Sequence, residues 1–73
     1  MDANIIELVI KTHLKQMSDR LDQAASLGKA AVACADTGNI SKGIEVALEV
    51  EQIIYEVTTL LNAASMINRV GAE

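Results

Sequence analysis

Asp36-Thr37-Gly38-Asn39-Ile40-Ser41 is the one stretch of this chain that reads as a break, and it divides 73 residues into two segments of nearly equal length. Proline is absent, and the other glycines, at 28, 43 and 71, stand singly inside apolar patterns. Gly38 suits the left-handed position that follows a helix C-terminus, and Asn39 or Ser41 suits the N-cap of the next helix. The break therefore predicts a helix over about 3–36, a turn at 37–40 and a second helix over about 41–70.

On either side of the break the apolar residues keep an uninterrupted rhythm. Ile10, Leu14, Met17, Leu21, Ala24, Gly28, Ala31 and Ala35 recur in steps of three and four, and so do Val46, Val50, Ile53, Val57, Leu60, Ala64 and Ile67. Such steps hold each set on one side of a helix, as in a coiled-coil seam. A tight turn at Gly38 and Asn39 sets Ala31 against Val46, Gly28 against Val50, Ala24 against Ile53 and Leu21 against Val57. Further out, Met17 meets Leu60, Leu14 meets Ala64 and Ile10 meets Ile67. Small residues thus face branched ones near the turn, which is the interdigitation a packed pair needs. The same register puts Arg20 beside Glu56, an ion pair that marks alignment more than it adds stability. The expected fold is all-α: two long antiparallel helices forming a helical hairpin, a single domain over 1–73.

Hydrophobic residues make up 51% of the chain, too many for disorder. A domain this small hides only about 60% of its unfolded surface, and a hairpin has a single inner seam. Apolar edges remain outside that seam: Ala47, Ile54 and Leu61 in sevens on the second helix, and on the first Ala25 with Val32, with Ile6, Leu27 and Cys34 on the other flank. Covering them with a second copy makes a homodimer, a four-helix bundle with Leu27, Val32, Ile54 and Leu61 at the dimer interface. The other possible cover is a different protein.

The charge balance excludes several partners. Net charge is −4, the six Lys and Arg residues are dispersed, and Tyr55 is the only aromatic residue, so neither a phosphate footprint nor a base-stacking platform exists and nucleic acid is not an expected partner. No run is long and apolar enough to span a membrane, and Met1-Asp2-Ala3-Asn4 lacks the basic start of a signal peptide. Cys34 is the only cysteine, which accords with a reducing compartment. A cytoplasmic location is expected.

The residues that carry chemistry are few. His13, in Lys11-Thr12-His13-Leu14-Lys15, lies beside the seam in the column of Ile6, Arg20, Leu27 and Cys34. A dimeric hairpin with a flanking imidazole resembles the dimerisation and phosphotransfer domain of sensor histidine kinases, and that resemblance implies His13 as phospho-acceptor. Those kinases follow their histidine with an acidic residue and soon a proline, and phosphotransfer domains carry a lysine three positions on; Leu14, Lys15 and Gln16 stand here. A half-buried histidine on a bundle flank is the plainer alternative. Gly38-Asn39-Ile40-Ser41-Lys42-Gly43-Ile44-Glu45 resembles the inter-helix turn of a tetratricopeptide repeat, but the helices overrun that repeat and no second copy follows. One histidine, one cysteine and no Glu-x-x-His leave no metal set, and neither Cys34 nor Ser65 has a base beside it. No catalytic residue, cofactor or metal site is expected.

What remains is surface. Ala30 and Ala33, in the small-residue tract from Ala24 to Ala35, offer a groove for a partner's helix, with tight packing as the plainer alternative. Glu45, Glu49 and Glu51, with Glu56, make an acidic side that either docks a basic partner or is simply solvated. Tyr55 lies opposite the seam, an exposed tyrosine or an interface anchor. The expected function is that of a small non-enzymatic interaction protein, an adaptor, chaperone or regulator.

Overall fold

The computed structural model describes residues 3–72 as two helices, α1 (Ala3–Asp36) and α2 (Ile40–Ala72), with no strand among them. α1 has the predicted bounds, whereas α2 starts one residue before the prediction and runs two beyond it. The early start follows from the cap. Asn39 Oδ1 accepts a hydrogen bond from the Lys42 backbone N–H at 3.1 Å, so Asn39 closes the first turn and Ser41 lies inside the helix.

The end of α1 is equally well determined. Gly38 has φ +90°. Its N–H donates to Ala35 O at 3.0 Å while the Asn39 N–H reaches back to Cys34 O at 2.9 Å, the two bonds of a Schellman motif. Glycine takes that backbone conformation at little cost. Replacing Asn39 by alanine leaves the first-turn donors of α2 unmet, and is expected to lower stability by about 1 kcal/mol. Urea titration of the two chains side by side checks this, and equal midpoints would contradict it.

Folded back at this turn, the helices form a rod with extents of 55 × 14 × 10 Å. On α2 the predicted seam is the observed one: Ile53 and Ala64 are buried, and Val46, Val50, Val57, Leu60 and Ile67 are half-buried. The predicted alignment is also observed, with Arg20 Nε 3.0 Å from Glu56 Oε2.

α1 is rotated relative to expectation. Ile10, Met17, Ala24 and Ala31 face inward as predicted, but Leu14 and Leu21 are each 43% exposed. The column of Ile6, His13, Arg20, Leu27 and Cys34 turns toward α2 in their place and is half-buried throughout. Leu27, expected on an outer flank, therefore belongs to the hairpin's own seam. Two features go with this setting. Arg20 lays its stem along the seam while its guanidinium meets Glu56 at the edge. Near the turn, the Gly43 backbone approaches α1 so closely that a Cβ there would lie 3.0 Å from Ala31 O. Gly28, expected to face Val50 in a tight contact, instead has open space where a Cβ would stand.

Candidate functional site

The rotation of α1 places seven of the exposed large apolar residues on one face, while Ile5, Leu8, Leu48, Met66 and Val70 are exposed elsewhere. At the turn end, Ala31, Val32 and Ala35 of α1 and Ile40, Gly43, Ile44 and Ala47 of α2 line a shallow apolar groove of about 230 Å³. Steps of seven from Ala35 lead along α1 to Gly28, Leu21 and Leu14, and the same steps from Ile40 lead along α2 to Ala47, Ile54 and Leu61. Because the helices are antiparallel, the two columns run side by side away from the groove. The large residues of the two columns and of the groove are well exposed: Leu14 and Leu21 as above, and Val32, Ile40, Ile44, Ile54 and Leu61 between 46% and 60%. No acidic or basic residue stands in these columns between Leu14 and Ala35 or between Ile40 and Leu61. Glu51, in the column of Ile44, marks the rim.

The opposite face is mixed, with Leu48 exposed in the column of Tyr55. Arg20, Tyr55, Glu56, Thr59 and Leu60 line a second groove of about 230 Å³, and Tyr55 is 68% exposed on its wall. Ala30 is exposed there too, in the column of Gln16 and Gln23, and Glu49 shares a column with Lys42 and Glu56. Ala33 is exposed on a further side of α1. Glu45 pairs with Lys42 of its own helix at 3.7 Å. The structure thus brings Val32, Ile54 and Leu61 together, sets Glu51 at their edge, and leaves Leu27, Ala30, Ala33, Glu45 and Glu49 apart from them.

His13 is half-buried, and its Nδ1 lies 2.8 Å from Val9 O. A carbonyl oxygen only accepts, so Nδ1 carries a proton and donates it to Val9 O. Cys34 is a half-buried free thiol. No group of three or more His, Cys, Asp or Glu among the described residues is placed to share a metal ion. No helix among the described residues is long and apolar enough to cross a membrane.

Four members of the apolar face escaped the sequence reading: Leu14, Leu21, Ile40 and Ile44. The signal was present in part. Ala47, Ile54 and Leu61 already formed a column of sevens, and one further step back reaches Ile40.

Comparison with family models, curated proteins and solved structures finds no match to this chain.

Proposed function

We propose that this chain is a non-enzymatic helical interaction protein, an adaptor, chaperone or regulator, that works in the cytoplasm as a homodimeric four-helix bundle. The observation that carries the reading is the continuous apolar face from Leu14 and Leu61 to the groove at Ile40 and Ile44. Seven large aliphatic side chains stand exposed along one side of a rod, where an isolated surface leucine would need no explanation. Water contact with this face is unfavourable by roughly 25 cal/mol per Å², and covering it supplies the second seam a bundle helix carries. The non-enzymatic part rests on the chemistry at hand: the grooves are shallow, and the charged groups lie on open helix faces where no substrate is desolvated. The lone thiol, Cys34, suits a reducing compartment.

Sedimentation equilibrium over a range of micromolar concentrations tests the assembly. A single species of twice the chain mass is expected; a folded species of one chain mass would overturn the reading.

A further inference from the structure

We infer that the apolar face is covered by a second copy of this chain laid face to face with its turn at the opposite end, so that Leu21 of each copy fills the notch over Gly28 of the other. This rests on the dimeric reading above and adds the orientation and register of the partner.

The area fits a second copy. The chain exposes 5415 Å², whereas a folded monomer of its 7.8 kDa mass exposes about 4,400 Å². The difference, on the order of 1,000 Å², is close to the roughly 800 Å² per partner that a stable interface of standard size covers.

The shape of the face then selects the orientation. Nothing lies within 4 Å of a Cβ built on Gly28, so the column carries a hole there, and one step of seven away Leu21 stands out as a knob. Reversing the face on itself pairs Leu14 with Ala35 and Leu21 with Gly28 across the α1 helices. Across the α2 helices the same operation pairs Ile40 with Leu61 and Ala47 with Ile54. Each level then receives large and small side chains together, as dense packing requires. With both turns at the same end, Gly28 and Ala47 of both copies would share one level and Leu21 and Ile54 of both copies the next. That stacking leaves one level empty and overfills its neighbour, which costs on both counts.

Polarity agrees. The next members of the two columns are Glu7 and Asn68, and the reversed register carries both past the other copy's turn, out of the interface. Glu51 comes beside its own symmetry mate at the rim, a like-charge contact that salt screens.

The test is a directed cross-link combined with sedimentation. Ala25, in the column of Val32, lies next to its own counterpart across the two-fold axis in this register, whereas with both turns at one end it faces α2. In a Cys34→Ser background, mild oxidation of Ala25→Cys is expected to yield a covalent dimer. Gly28→Leu, whose Cβ meets nothing of its own chain within 4 Å, is expected to weaken dimerisation about tenfold or more while the helical circular dichroism persists. A dimer that gives no cross-link at position 25, or one that Gly28→Leu leaves as tight as the parent, overturns this orientation and leaves the dimeric reading standing. A folded monomer in the parent chain removes both.

Discussion

Gly43→Leu is expected to lower the stability of the hairpin by about 3 kcal/mol, the upper part of the range for overfilling a packed seam. The reason is what the new side chain would meet. Its Cβ alone would lie 3.0 Å from Ala31 O, 3.6 Å from Ala35 N and 3.7 Å from Ala35 Cβ. Two of those three atoms are backbone, which cannot rotate aside as a flexible side chain does. The helices must therefore separate where the Schellman turn and the Asn39 cap hold them together. Alanine at the same position presents a smaller conflict, because its contact with Ala31 O opposes a gain in helix propensity of roughly 1 kcal/mol, and a change near zero is expected. Thermal melts of the three chains check this. For a domain of this size about 3 kcal/mol corresponds to a drop of roughly 12 to 24 °C in Tm, and a leucine variant that melts with the parent would mean that the helices do not approach this closely at position 43.

Gly28 shows why part of this architecture was hard to see in the sequence. Both glycines interrupt apolar patterns, yet only Gly43 marks a close approach of two backbones, and Gly28 opens onto space. The turn was legible because Gly38 and Asn39 act locally: a positive φ and a side-chain cap depend on a few neighbouring residues. The seam of α2 was legible for a different reason, since its columns carry aliphatic residues while one flank carries Glu49 and Glu56. α1 offered two columns beside Ile10, Met17, Ala24 and Ala31, one apolar from Leu14 and Leu21 to Ala35, the other holding His13 and Arg20. A ranking by hydrophobicity puts the leucines inside. The protein puts His13 and Arg20 there, because a long stem can lie along a seam with its charge at the edge, and an imidazole can satisfy one nitrogen on Val9 O. The same rotation explains why the candidate face was only half read. Val32, Ile54 and Leu61 stood outside any seam from the start, but Leu14 and Leu21 share a three-four rhythm with the inner residues, and Ile40 and Ile44 sit next to a turn where apolar residues draw no notice.

Ile54→Asp and Leu61→Asp are each expected to dissociate the proposed dimer while leaving the hairpin helical. Each side chain is about half exposed in the single chain, so a carboxylate there stays hydrated and does not disturb the seam of Ile53, Leu60 and Ala64. Covered by a second copy, the same carboxylate must lose its water, and the aliphatic contact it replaces, worth about 1.5 to 3 kcal/mol, is lost as well. Two-fold symmetry makes every substitution occur twice. A penalty of about 3 kcal/mol per site then becomes about 6 kcal/mol per dimer, a weakening on the order of 10⁴-fold. Tyr55→Ala is the matched control: it removes a larger and more exposed side chain from the Arg20–Glu56 side, and the assembly is expected to survive it. Concentration-dependent sedimentation of the three variants separates these outcomes, and a dimer that persists in both aspartate variants while failing in Tyr55→Ala would move the interface to the Arg20–Glu56 side. Acid supplies an internal check. An introduced carboxyl becomes neutral as the pH falls through its pKa, which burial raises above the usual value near 4. Partial re-association toward pH 4 is therefore expected for Ile54→Asp and not for Ile54→Lys, since a lysine stays charged throughout that range.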